Sequence, residues 1–174
     1  MKNRPIVFAA SAMSIASIAS AQTVHSGLDY TFDLEWFQDI TLEENQDRIT
    51  ENVWITRDTS QGIFNMARES GYEGNGSTGP SPIGTLWAWG TTAEYDSLTY
   101  DTWGVLHGGS PFSLLNNNVV VYLEEDDTYI DLMFTSWGSS GGGAFSYQRS
   151  VIPTPASTSL LALTGMFASR RRRS

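Results

Sequence analysis

Residues 28–36 (LDYTFDLEW) alternate without a fault. Leu28, Tyr30, Phe32, Leu34 and Trp36 fall on one side, and Asp29, Thr31, Asp33 and Glu35 on the other. A period of two at this length predicts a half-buried β-strand. The pattern returns at residues 129–137, where Ile130, Leu132 and Phe134 oppose Asp131, Met133 and Thr135. Between and after these lie runs rich in β-branched and aromatic residues, at 53–57 (VWITR), 62–66 (GIFNM), 85–89 (TLWAW), 119–123 (VVVYL) and 144–151. Each reads as a strand, with 62–66 pairing onto 53–57 and the last three strands forming a meander. A further strand, interrupted by Gly104, is expected at 100–106. Residues 41–52 read as a polar connection with one helical turn, 69–82 and 107–118 as loops, and 124–128 as a turn. Helical periodicity is missing between the two ends. Seven or eight strands separated by turn signals predict a single all-β domain, a β-sandwich or jelly roll.

The two ends follow different rules. Lys2 and Arg4 precede an apolar, small-residue stretch at 6–18, and Ala19-Ser20-Ala21 stands before Gln22. That pattern predicts a secretory signal peptide over residues 1–21, cut between Ala21 and Gln22. The exported domain then spans 22–151. The tail, 152–174, opens with Pro153-Thr154-Pro155, continues with an apolar run at 160–168, and closes on Arg170, Arg171, Arg172 and Arg173. The prolines fix φ and remove two donors, so the chain entering the tail is extended. Even counted generously the apolar run is about a dozen residues, or roughly 18 Å as a helix. A stable transmembrane helix needs about 20 residues. The tail is therefore a marginal membrane segment suited to transient retention, with its arginines on the cytoplasmic side and the domain outside.

This arrangement resembles the PEP-CTERM sorting signal of Gram-negative bacteria: a Pro-x-Pro motif, an apolar helix and a terminal arginine cluster. The resemblance covers residues 152–174, and Thr154 stands where that family favours Glu. It implies that the export machinery and an exosortase-type enzyme process the chain, and that the product goes to the cell surface or extracellular matrix. An ordinary C-terminal anchor is the alternative. Three internal runs, NQDRITENVWITR at 45–57, GIFN at 62–65 and DDTYIDLMFTSWGSSGGGAFSYQRS at 126–150, resemble an uncharacterised domain of secreted bacterial proteins with the same kind of tail. That likeness implies secretion and a shared fold; no activity, ligand or catalytic residue comes with it.

Setting the ends aside changes the charge. Ten basic residues less the six in the ends leave Arg48, Arg57, Arg68 and Arg149 against all 19 acids, a net of −15 with no lysine. Such a surface repels phosphate backbones, which excludes nucleic acid as a partner. There is no cysteine, so an exported domain must rely on its core or on bound ions. All six tryptophans, Trp36, Trp54, Trp87, Trp89, Trp103 and Trp137, lie in the middle region and supply core material.

Motifs that would carry chemistry are incomplete. Gly74 to Gly79 match G-x-G-x-x-G, but Pro80-Ser81-Pro82 follows where a helix would have to begin, so a surface loop is expected. Gly138 to Gly142 match G-x-S-x-G around Ser140, without the strand-to-helix turn or a later histidine, so a hairpin turn is expected. His107 lacks cysteine or histidine neighbours for zinc and reads as a loop histidine. Glu124 to Asp127 form the densest acidic run; a solvated turn is favoured over a calcium site, because the ligand spacing is wrong. No metal or cofactor is expected. Tyr95, Tyr100 and Trp103 stand in polar surroundings suited to sugar stacking. Arg57 and Arg149 adjoin strands and are expected to pair with surplus carboxylates. The leading expectation is a non-enzymatic exported protein. A carbohydrate-binding module, with extracellular polysaccharide as partner, is the alternative, and a secreted hydrolase the second.

Overall fold

A computed structural model describes residues 22–139 and 141–153. Across them the chain is all-β, with nine strands in two sheets. Six strands form the larger sheet: β1 (Thr23–His25), β2 (Tyr30–Leu34), β6 (Thr85–Trp89), β7 (Asn118–Leu123), β8 (Thr128–Trp137) and β9 (Phe145–Arg149). Its order is β2-β9-β8-β7-β6, antiparallel throughout, with β1 running parallel to the first residues of β8 beyond the end of β9. The smaller sheet is β3 (Asp47–Arg48), β4 (Trp54–Arg57) and β5 (Ile63–Asn65).

The alternating segments become strands, and the pattern holds at their centres, whereas Tyr30 and Trp36, expected on the buried side of the first, are exposed. On β8, Ile130, Leu132 and Phe134 are buried, and on β2 Phe32 and Leu34 are. Register lines these residues up across the larger sheet: Trp87 beside Val121 and Ile130, Phe134 beside Tyr147 and Phe32, and Trp137 beside Phe145 and Leu34. Cross-strand rows of aromatic and β-branched side chains are the unit that stabilises a sheet. Ile55 and Ile63 of the smaller sheet join the same core, so the two sheets form a sandwich. The expected pairing of β4 with β5 and the β7-β8-β9 meander are both present. Strands β1 and β3, two or three residues long, are additional to the expected set.

One expected strand is not there. Residues 103–107 form a short helix, α1 (Trp103–His107), ended by Gly108 in the left-handed conformation. Its buried side is Trp103, His107 and the half-buried Leu106, the i, i+3, i+4 spacing of a helix face. Five residues are too few for that period to stand out against a strand pattern. Gly104 is a packing contact rather than an interruption. A Cβ there would lie 3.2 Å from the backbone of Thr78, so the loop at 75–78 rests directly on the helix.

An ion pair crosses between the sheets. Asp47 of β3 accepts from Nε and Nη2 of Arg149 on β9, each at 2.7 Å, and from the Tyr147 hydroxyl at 2.6 Å. The outer face of the larger sheet is covered by residues 91–100. Asp131 holds this segment by accepting from the backbone and hydroxyl of Thr92.

Candidate functional site

A cleft of about 310 Å³ opens beside α1. Three turns meet there: residues 58–62 between β4 and β5, residues 107–112 after α1, and residues 138–143 between β8 and β9. Trp137, Tyr72 and Phe112 provide aromatic surface backed by the buried Trp103, and Arg57, Gln61, Ser60 and Ser139 provide polar groups. Trp103 packs on Trp137 with ring centroids 5.6 Å apart and meets Tyr72 edge-on at 6.3 Å. Gly62 passes between them: a Cβ at that position would stand 2.5 Å from Tyr72 and 2.7 Å from Trp103. The first residue of the GIFN run is thus glycine because the strand enters through an aromatic contact.

Arg57 ends β4 and is buried. Its Nε donates to the Gln61 carbonyl at 2.7 Å and its Nη1 to the Ala144 carbonyl at 2.8 Å. The guanidinium lies 3.8 Å over the Trp137 ring. Among the described residues no carboxylate pairs with it, and none lines the cleft. Burial pushes its pKa down to about 10, because taking a cation out of water disfavours the charged form. The expected carboxylate pairing therefore holds for Arg149 and fails for Arg57. Two carbonyl dipoles and a ring face the guanidinium in place of an opposite charge.

His107 is the last residue of α1 and is 5 % exposed, so it is a core histidine rather than a loop histidine. Its Nδ1 accepts from the Gly109 backbone at 3.1 Å. That bond assigns the proton of the neutral ring to Nε2. The ring stands 4.1 Å from the Trp103 ring, and burial pushes its pKa below the ordinary histidine value. Among the described residues, His107 Nε2 and Trp103 Nε1 are both buried donors without a hydrogen-bond partner, as is the Thr102 hydroxyl nearby. An unmet buried donor costs about 1–3 kcal/mol. Three such groups within six residues form a concentration of unmet polarity next to the cleft.

This arrangement bears on the hydrolase motif. The structure brings His107 and the G-x-S-x-G turn to one cleft although they are far apart in sequence. Ser140 itself lies outside the described residues. A triad histidine needs its Nδ1–H held by an acid and its Nε2 free to take a proton. Here Nδ1 is the acceptor, and Nε2 carries the hydrogen. The turn is the expected hairpin, with Gly141, Gly142 and Gly143 all at positive φ. The G-x-G-x-x-G run is likewise a loop, closed by a bridge between Asn75 and Thr78.

Other candidate residues disperse. Trp103 is 1 % exposed and belongs to the core, which removes its expected role as an open stacking platform. Tyr95 and Tyr100 pack on the outer face instead. Their rings lie 4.9 and 5.6 Å from Tyr129, which stacks on Tyr122 at 4.4 Å. The acidic turn splits its carboxylates among protein partners. Asp126 accepts from Thr50 and Asn52, Asp127 from Tyr122, and Glu125 pairs with Arg68. Among the described residues no group of three acids or histidines could hold a metal ion. Gln22, the first described residue, donates to the Tyr129 hydroxyl at 3.1 Å. Ala19, Ala21, Thr154, Pro155 and Arg170 to Arg173 lie outside the described residues. Among the described residues no helix is long and apolar enough to cross a membrane.

Open aromatic surface occurs elsewhere than expected. Trp36 is 43 % exposed and Phe37 76 % exposed, side by side just past β2. Phe37 has φ 59°, a conformation that costs a bulky residue energy. Both rings pack on the glycines of the 138–143 turn, and Gly138 separates Trp36 from the cleft. A sequence signal for this pair existed, since Phe37 directly after Trp36 ends the alternation with two adjacent aromatics. No protein-family model, curated protein or solved structure matches this chain.

Proposed function

We propose that this chain is a non-enzymatic protein exported to the cell surface or extracellular matrix of a Gram-negative-type bacterium, and that its β-sandwich works by binding saccharide in the cleft beside α1. One observation carries the binding reading: the aromatic side chains of Tyr72, Phe112 and Trp137 and the polar groups of Arg57, Ser60, Gln61 and Ser139 line one concave site. Sugar rings offer apolar faces for stacking and hydroxyls for hydrogen bonds, and binding sites of this kind combine a largely apolar lining with a few polar groups. The open rings of Trp36 and Phe37, packed on the 138–143 turn that borders the cleft, add aromatic surface beside it. Two features favour binding over hydrolysis. Glycoside hydrolysis uses a pair of carboxyl groups, and the cleft lining has none. The His107 tautomer does not suit a general base.

Export rests on the two ends of the sequence, with an exosortase-type enzyme as the processing partner. Intact mass of the protein recovered from its native host tests this part. A mass beginning at Gln22 and lacking the apolar run and arginines is expected; retention of Arg170 to Arg173 would reduce the tail to an anchor. Titration of the purified chain with a panel of soluble polysaccharides, followed by tryptophan fluorescence, tests binding. Trp103 and Trp137 are expected to report a saturable change that Phe112→Ala weakens. A flat response across the panel would remove the binding reading.

A further inference from the structure

We propose that the saccharide is an acidic one, and that Arg57 reads the carboxylate of a uronic acid residue; this rests on the binding reading above and adds the ligand's charge to it. The region that forms the fold contains four arginines and 19 acids. Arg48, Arg68 and Arg149 each pair with a carboxylate. Arg57, buried and lining the cleft, pairs with none among the described residues. Chance placement among so many acids would favour a partner, yet the cleft lining contains none.

The guanidinium keeps donors to spare. Of its five N–H groups, one on Nε and one on Nη1 are bonded to the carbonyls of Gln61 and Ala144. Those two bonds and the Trp137 ring fix its plane. The remaining N–H groups, on Nη1 and Nη2, suit the two oxygens of a carboxylate, the geometry in which arginine recognises that group. A carboxylate there would supply the opposite charge the protein leaves out, in surroundings where a charge-assisted bond is strong. Tyr72, Trp137 and Phe112 line the same cleft and give the attached ring apolar neighbours. The net charge of −15 opposes a polyanion at long range. That repulsion is screened beyond about 8 Å at physiological ionic strength, so contact recognition is decided at the guanidinium.

The test is calorimetric titration of the purified full chain with methyl glucuronide, methyl glucoside and acetate at physiological ionic strength. Glucuronide is expected to bind about tenfold tighter than glucoside, and acetate more weakly than either. Arg57→Gln should bring glucuronide and glucoside to within threefold of each other. Arg57→Lys, which keeps charge but loses the planar fork, should give an intermediate preference and serves if the glutamine variant does not fold. Equal binding of glucuronide and glucoside would overturn the inference while leaving saccharide binding intact. Acetate binding as tightly as glucuronide would also overturn it, since the ring would then contribute nothing. Absence of binding by all three would overturn both readings.

Discussion

Arg149 and Arg57 are both buried at the end of a strand and both stacked on an aromatic ring, Tyr30 at 4.2 Å and Trp137 at 3.8 Å. They differ in what answers their charge. Arg149 has the two oxygens of Asp47 and the carbonyl of its neighbour Ser150. Burial alone would lower its pKa, and the Asp47 hydrogen bonds and charge reverse that to a net rise. Arg57 has carbonyls and a ring, and its pKa is pushed down. The Asp47–Arg149 contact joins the two sheets and is complete within the protein. The Arg57 contact borders a cleft and is not. A surplus of acids does not by itself neutralise a buried cation; the backbone must bring one to it.

The largest effect expected from breaking this comparison is at Asp47. Replacing it by Asn leaves Arg149 buried without its counter-charge and weakens the Tyr147 hydrogen bond. Removing one partner of a buried pair typically costs about 3–5 kcal/mol. Urea denaturation should show a loss in that range, with the larger sheet losing its anchor to the smaller one. A loss under about 1 kcal/mol would mean that water reaches the pair and that it is not a lock.

Alkali should act on the two regions with opposite sign. Burial, followed by the Asp47 charge, pushes the Tyr147 hydroxyl well up, and burial raises Tyr30 beside it. A tyrosine whose folded pKa exceeds its unfolded value near 10 contributes stability that is fully present below pH 10. That contribution is lost as pH rises toward the folded value. One such group changes stability by at most about 1.4 kcal/mol per pH unit. On the outer face Tyr100, raised by burial first and by Tyr129 second to about 12, adds to the same loss between pH 10 and 12. Arg57 works the other way. Burial holds its folded pKa at about 10, below its unfolded value, so it penalises folding below pH 10 and less as pH rises. Wild type should therefore lose stability above pH 10, Tyr147→Phe should lose less per pH unit, and Arg57→Met should lose more. Parallel slopes for all three, measured by denaturant midpoint, would contradict the assignment.

At neutral pH the same Arg57→Met change should cost less than Asp47→Asn, under about 1.5 kcal/mol. Two hydrogen bonds to carbonyls are lost, but an uncompensated buried cation is removed with them. A loss as large as that of Asp47→Asn would give Arg57 a structural role equal to that of Arg149.

The comparison also marks what the sequence could convey. Strands with one face in the core and the other outside it were legible, because Ile130, Leu132 and Phe134 are buried while Asp131, Met133 and Thr135 between them are half-buried or exposed. The smaller sheet was less so: Ile55, Thr56 and Arg57 are consecutive and all buried, so alternation fails there. Turn chemistry was legible too, since three consecutive glycines at 141–143 permit three positive φ values. The cleft was not. It is assembled from turns about 25 to 80 residues apart whose members, Arg57, His107 and Trp137, have no local spacing in common. Both glycine motifs border it, yet they do so as turns that pack on aromatics and a helix, and not through the chemistry their patterns suggest. Trp103 misled for a related reason: polar neighbours in sequence say little about a residue that a five-residue helix turns inward.

The smallest effect expected is at His107, and it probes whether the cleft is polar enough to accept a second cation. Burial lowers its pKa, so between that lowered value and the unfolded 6.5 the unfolded chain binds more protons than the folded one. Stability should then fall as pH drops below about 6.5, by less than 1.4 kcal/mol per pH unit, which is the limit for one proton. His107→Gln keeps a side-chain amide without a titrating group, and its stability should fall more gently over pH 5 to 7, since all other groups are common to both proteins. Equal slopes would mean that an imidazolium in the cleft that Arg57 also lines is tolerated, and hence that water or a bound anion already shields the site. That outcome would move Arg57 toward Arg149, as a cation whose charge is answered, and would direct attention to whatever had answered it.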